Sequence, residues 1–342
     1  VLSYLVEAPG RARLTEMPQP RPGPHEALVR VEAVGICGSD VELVAGTRDP
    51  AFCRLPVVPG HEWSGRVEAV GADVTQDLVG RRVAVEGHNY CGVCGPCIEG
   101  ATQRCARYDE FGFTRDGGFA PWVAARADLC HVMSRVSADV AALTEPTACA
   151  LHAIERVGVG SADRVVVLGA GPVGLLAAML AVHAGARDVV VCDVRDDVRR
   201  VAERMGVSDV VTGTPGDIAR ELGLRLPRGA DVVIEAAGQA SSQHFGMQIL
   251  ARGGRLALVG LAGERTLAMN LDALVLRDAR VEATFAYPSA VFGRAASLLD
   301  GGAIDPRPLL THRFPLSRVE AAFELLRTRS APVVKVVLDP HA

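Results

Sequence analysis

A chain of 342 residues, 49% of them hydrophobic, is long enough for two domains with substantial cores. A net charge of −4 and a pI near 6.2 give no electrostatic case for nucleic acid or an anionic membrane surface. Lys335 is the only lysine among 36 basic residues, a bias that reads as a GC-rich genome rather than a functional signal.

The opening VLSYLVEAP suits a first strand and lacks the basic region, long apolar core and cleavage site of an export signal, so a cytoplasmic protein is expected. Proline punctuation gives way to alternation over Ala27–Val34, and Cys37 follows at a strand end in ICGSD. In PVVPGHEWSG, His61 and Glu62 come just after a Pro-Gly turn; Arg66–Val70 and Arg81–Val85 read as further strands. This part is mainly β, with turn signals close together.

Residues 86–105 form an irregular lobe with Cys91, Cys94, Cys97 and Cys105 in a C-x2-C-x2-C-x7-C pattern. Nine cysteines, an odd number, without an export signal favour metal over disulfides. Glycines at 92 and 95 allow tight turns that converge thiolates on one tetrahedral ion, and a structural zinc is expected. An iron–sulfur cluster is the competing metal reading; unpaired buried cysteines are the other. A strand-like stretch with a Gly-Gly turn follows, then helices starting near Ala138 and Thr147.

Val165–Leu168 is a β-branched run suited to a buried parallel strand. Gly169, Gly171 and Gly174 then give G-x-G-x-x-G, Leu175–Ala184 are helix formers, and Val189–Cys192 form a second strand closed by Asp193. In this pattern the first glycine permits a tight turn, the second admits a pyrophosphate and the third lets helix pack on strand. The helix N-terminus suits phosphate, and Asp193 is placed to accept the adenosine ribose hydroxyls. That carboxylate favours NAD, although Arg195 and the Arg199–Arg200 pair nearby would suit a 2′-phosphate. Val165–Ala186 carries no charged residue and could span a bilayer by length, but its three glycines, Pro172 and the absence of a basic flank reject that reading.

Beyond Asp193, helical patterns (Asp197–Met205, Ile218–Leu222, Ser241–Leu250) alternate with strands (Val207–Val211, Ala230–Ile234, Arg255–Gly260). This predicts a doubly wound parallel sheet, an α/β Rossmann domain, over 148–283. Residues 284–342, with a helix at Val319–Arg327 and a strand at Val333–Leu338, return to the first domain at 1–147.

Cys37, His61, Glu62 and Glu145 are the ligand types of an open zinc site, with one position left for substrate or water. Singly, each is as well read as a core or helix-start residue, and spacing does not bring them together.

CGSD at 37–40, GHEWSG at 60–65, the cysteine lobe, EPTACALHA at 145–153, GAGPVG at 169–174 and EAAG at 235–238 occur in this order. In this the chain resembles the zinc-dependent medium-chain dehydrogenase/reductase family over nearly its whole length, and its polyol (sorbitol) dehydrogenase branch with the cyclitol and aminocyclitol dehydrogenases. The resemblance implies a GroES-like catalytic domain built from both chain ends, with the Rossmann domain inserted. It implies catalytic zinc on Cys37 and His61, with Glu145 on or near the ion and Glu62 as a second carboxylate that ligates or supports it. NAD is expected at Gly169, Gly171, Pro172, Val173, Gly174, Asp193 and Arg195, and the resemblance also implies a homo-oligomer, dimer or tetramer. The Glu-Pro at 145–146 matches the polyol branch, whereas threonine dehydrogenases usually carry Asp there. Three departures stand out: Glu42 where relatives often have a relay His, Ala286 where sorbitol dehydrogenases have Arg, and Trp63 where Phe is commoner. The first puts the relay in question; the second argues against plain sorbitol.

The implied chemistry is oxidation of a small-molecule secondary alcohol, with zinc as Lewis acid, Ser39 passing the proton towards solvent and NAD taking the hydride. A turn role is the alternative for Ser39, and Asp40 reads as structural. His88, His152, His183 and His244 are read without a role, and Cys53, Cys130, Cys149 and Cys192 as packing residues. Specificity is expected on Glu42, Trp63, Phe111, Tyr287 and Phe292. Threonine or simple alcohol dehydrogenation is the rival activity. A non-catalytic nucleotide-binding protein is the rival class, disfavoured because every zinc ligand is present.

Overall fold

The computed structural model describes residues 1–263 and 266–342. The chain forms two compact units: residues 1–145, 288–303 and 310–342 make the first, and 146–287 with 304–309 the second.

In the first unit, strand β1 (Glu26–Gly35) is the hub. Its valines and alanines are shut from solvent while Arg30 points out. It pairs antiparallel with β2 (Glu62–Val70), which pairs in turn with β3 (Arg82–Val85). Gly35 ends β1 directly opposite Glu62, the first residue of β2. Helix α1 (Gly38–Ala45) starts immediately after β1, with Cys37 as its N-cap residue. It stops at Gly46, whose left-handed φ of 73° lets the chain reverse. Glu145 lies in the first turn of helix α2 (Thr144–Val157), which begins three residues before the expected Thr147.

The second unit is a six-stranded parallel sheet built on a run of buried valines. Strand β4 (Arg164–Leu168) leads into α3 (Pro172–His183) and then β5 (Asp188–Asp193). After Val210–Thr212 come β6 (Ala230–Glu235), β7 (Leu250–Leu258) and β8 (Arg280–Ala283). Their spatial order is Val210–Thr212, β5, β4, β6, β7, β8, so the winding reverses between β4 and β6. That switch point at the carboxyl ends of the strands is where doubly wound sheets bind nucleotides. Strand β7 starts at Leu250, five residues before the expected Arg255, and pairs with β6 through a register shift between Ala230 and Val232. Strand β8 is the sheet's outer edge.

The chain then returns to the first unit, where β9 (Lys335–Asp339) runs antiparallel to β1 and parallel to Leu310–Pro315. Val337 pairs with Gly35, so both ends of the sequence meet beside Cys37. The core of this unit gathers Tyr4, Trp63, Phe111, Phe119 and Phe323 around the sheet valines. Among the described residues no helix is long and apolar enough to cross a membrane.

Candidate active site and metal centres

The glycine turn after β4 has the local geometry of a nucleotide site. A methyl group on Gly169 would sit 2.7 Å from the Ala237 nitrogen, and one on Gly174 would lie against the Gly169 carbonyl oxygen. Gly171 differs: nothing lies within 4 Å of a Cβ there, so the open side of the turn is at the glycine that must admit a pyrophosphate. Gly171 caps α3, a twelve-residue helix with Pro172 in its first turn and Val173 after it, so free N–H groups and a positive dipole end point at that space. Asp193 closes β5; Oδ2 accepts the Ala170 N–H at 2.7 Å and Oδ1 the Arg195 N–H at 2.9 Å. The Arg195 guanidinium pairs with Asp197 at 3.2 Å, and Arg199 is held by Asp196, Val210 and Thr212. Two of the arginines that could have met a 2′-phosphate are thus engaged elsewhere. The EAAG segment packs against the same turn at Gly169, and Glu235 Oε1 holds that segment in shape by accepting the Ala237 and Gly238 N–H groups, each at 3.0 Å.

In the lobe, Cys91, Cys94, Cys97 and Cys105 place their sulfurs within 4.8 Å of one another. Cys91 and Cys97 are 4.0 Å apart and Cys94 and Cys105 3.9 Å, too long for disulfides. Ligands about 2.3 Å from a tetrahedral zinc stand about 3.8 Å from each other, so the spacing fits that ion. The Val93 and Cys94 N–H groups, with Arg107, draw the Cys91 thiol down to about 5. Burial and the neighbouring sulfurs push Cys97 up to about 12. Four thiolates in this space would concentrate negative charge, which a bound metal cation would offset.

The dispersed residues do converge. Cys37, His61 and Glu62 bring one donor atom each to within 4.8 Å of the others. The β1–β2 register does this: it sets Glu62 opposite Gly35, two residues before Cys37. Asp40, fully buried, accepts the Cys37 N–H at 2.8 Å and the Gly60 N–H at 3.3 Å, tying α1 to the turn that carries His61. Asp40 Oδ1 also lies 3.7 Å from His61 Nδ1, beyond hydrogen-bond length. Burial opposes a charge on His61, but the Asp40 carboxylate and the Cys37 sulfur outweigh it and hold its pKa well above the ordinary value. The surroundings therefore favour positive charge at this point, as a cation site would.

Glu145 is buried beside this set but outside it. Burial, aided by the Glu62 and Glu110 carboxylates and opposed by His61 and Lys335, pushes it up to about 7. Ser39 sits partly buried in the first turn of α1.

Three neighbours escaped the sequence reading. Lys335 makes a fully buried ion pair with Glu62 and donates to the Ile36 carbonyl at 3.0 Å. Burial opposes its charge, but Glu62, Cys37 and Glu145 raise its pKa above the ordinary lysine value. Glu110 lies 3.8 Å from Arg48, whose guanidinium stacks 3.8 Å over Phe113, and Phe113 in turn contacts the His61 ring. Burial raises the Glu110 carboxyl, against the pull of His61 and Arg48. The singularity of Lys335 was the one available signal.

Of the expected specificity residues, Trp63, Phe111, Tyr287 and Phe292 are core, each at most 1% exposed. Trp63 packs edge-on against Phe111 at 5.6 Å, which explains the large aromatic after His-Glu as packing. Glu42 is exposed on α1. Among the residues read without a role, His88 stacks on Tyr108, His152 bonds the Ala286 carbonyl at 2.9 Å, and Cys53, Cys130 and Cys192 pack against cores.

Residues 23–135 match the alcohol dehydrogenase GroES-like domain and 172–301 the zinc-binding dehydrogenase domain. An L-threonine 3-dehydrogenase of Saccharopolyspora erythraea is 37% identical over 97% of this chain and 96% of its own. A sorbitol dehydrogenase of Halalkalibacterium halodurans is 33% identical over the same shares. Among solved structures, a protein assigned as a zinc-binding dehydrogenase from Sinorhizobium meliloti 1021, bound to NADP, superposes with a TM-score of 0.92 at 31% identity, covering 99% of both chains.

Proposed function

The chain belongs to the zinc-binding alcohol dehydrogenases with a GroES-like domain, and we propose that within this family it oxidises a secondary alcohol of a polyol, cyclitol or aminocyclitol with NAD. It is an oxidoreductase acting on CH–OH, with zinc and NAD(P) as the family's cofactors.

The observation that carries the reading is the donor set of half-buried Cys37 with buried His61 and Glu62, all within 4.8 Å, with Glu145 adjacent. Those three side chains would hold the catalytic zinc, with Glu145 as the carboxylate beside it, and the four-cysteine lobe a structural one. Zinc there supplies a Lewis acid that makes an alcohol proton acidic near neutral pH. Ser39 accepts that proton and passes it towards solvent. Asp40 holds Cys37 and His61 in place, while Gly171, the α3 N-terminus and Asp193 seat the dinucleotide that takes the hydride. Asp193, with Arg195 and Arg199 engaged elsewhere, favours NAD over NADP.

A polyhydroxylated substrate suits a site flanked by Arg48, Glu110 and Glu145 better than an alkyl alcohol does. One observation favours a second reading. Arg48 beside Glu110 offers a cation and an anion, the complement of an amino acid's carboxylate and ammonium, and a threonine dehydrogenase is among the relatives. The Glu-Pro at 145–146 weighs the other way.

The exposed edge strand β8, with Leu271, Val275, Leu276 and Phe285 exposed near it in sequence, supports a homo-oligomer that pairs copies along this edge. We place the protein in the cytoplasm.

The test is NADH formation at 340 nm with sorbitol, xylitol, myo-inositol, 2-deoxy-scyllo-inosamine and threonine, each with NAD and NADP. Turnover on a polyol or cyclitol with NAD is expected. Turnover on threonine alone would overturn the substrate assignment.

A further inference from the structure

Every other basic residue besides histidine in this chain is arginine, yet the one lysine is 1% exposed and lies against Glu62, itself 2% exposed. Lys335 opens β9, where Thr311 fixes its backbone by accepting the Val334 N–H and donating to the Lys335 carbonyl, both at 3.0 Å. Its ammonium donates to the carbonyl of Ile36, the residue before Cys37. Gly35 is what makes room: a Cβ there would meet Lys335 Cε at 2.9 Å and run into the Glu62 carboxylate. One cation therefore grips both the strand end that carries Cys37 and the carboxylate of the donor set. Burying a lone ammonium is costly, so its place is set by the anions it answers.

We propose that Lys335 is a positioning residue that limits Glu62 as a metal ligand, engaging Oε2 so that the carboxylate cannot close on the ion with both oxygens. This rests on the reading of Cys37, His61 and Glu62 as the catalytic zinc site. Without Lys335, Glu62 would be free to turn both carboxylate oxygens towards a bound metal and compete with the alcohol for it.

The proposal makes an unusual demand: removing a buried partner should tighten metal binding. The experiment measures the affinity of the second zinc by chelator competition on the full-length protein, alongside kcat. Lys335→Met should bind that zinc about tenfold more tightly, at the low end of what changes beside metal ligands produce, and lose activity. Glu62→Gln, which leaves Lys335 as an uncompensated cation, should bind it about tenfold more weakly. The double variant should return towards the parent affinity. A structural brace predicts weaker zinc in Lys335→Met, and that result, or an unchanged affinity, would overturn the proposal. Should Lys335→Met not fold, an unchanged zinc affinity in Glu62→Gln would overturn it equally. Failure of the underlying reading looks different: the parent chain itself would hold only the lobe zinc.

Discussion

Asp40 Oδ2 accepts the backbone N–H of Cys37 at 2.8 Å while its Oδ1 stands 3.7 Å from His61 Nδ1, so one buried carboxylate sets two of the three converging donors. Asp40→Ala strands the Cys37 and Gly60 N–H groups and frees the imidazole. Bonds to a charged acceptor are worth about 1.5–3 kcal/mol each, so a loss of about 3 kcal/mol is expected in denaturant unfolding. Affinity for the second zinc should fall by about 10–100-fold, as on loss of any group that orients a ligand. Unchanged affinity would leave Asp40 a purely structural residue.

The cysteine lobe has little apolar content, and its order is expected to come from its metal. Cys94→Ser should leave one zinc per chain, lower the Tm and open residues 91–105 to proteolysis. The binding energy of structural zinc, about 10 kcal/mol or more in small peptides, is large enough for all three. Metal analysis and limited proteolysis check this; a variant that keeps both ions would contradict it.

Asp193 is the proposed reader of the ribose. Asp193→Ala should raise the KM for NAD by about 10–100-fold, the worth of one lost bond to a charged acceptor, and narrow the preference over NADP. Because Asp193 also accepts the Ala170 and Arg195 N–H groups, the Tm should be measured beside it. A KM that does not move would remove Asp193 from the cofactor site.

Burial pushes His88 down to about 4, whereas an unfolded chain titrates it near 6.5. Between those values the unfolded state binds more protons, so stability falls as pH drops through that window. At pH 5 the loss from this group is about 2 kcal/mol relative to pH 7.5. His88→Phe, which keeps a ring against Tyr108, should lose about that much less between the two pH values in urea unfolding. Equal acid sensitivity of both proteins would place the cause elsewhere.

What could be read in the sequence follows from how local each feature is. The glycine turn and the cysteine lobe are each written within a few dozen consecutive residues, so turn chemistry and ligand spacing specify them. The Cys37 site depends on the β1–β2 register and on β9 arriving from 299 residues away, and spacing carries neither. Family order supplied the residues; pairing in the sheet supplies the reason they meet. A compositional bias towards arginine accounts for the rarity of lysine but not for the position of Lys335, which only the fold brings to Glu62 and Ile36. Trp63 and Phe111 were expected to carry specificity, but both lie in the core of the first unit, packed on each other at 5.6 Å, a contact between distant residues that spacing does not show.

The central claim is that Cys37 belongs to a zinc site that performs the oxidation. The most direct measurement is zinc per chain in the parent and in Cys37→Ser, paired with NADH formation on the best alcohol of the panel. The account predicts two zinc ions falling to one, with turnover abolished and the fold retained. A Cys37→Ser protein that keeps its second zinc, or its turnover, would contradict it.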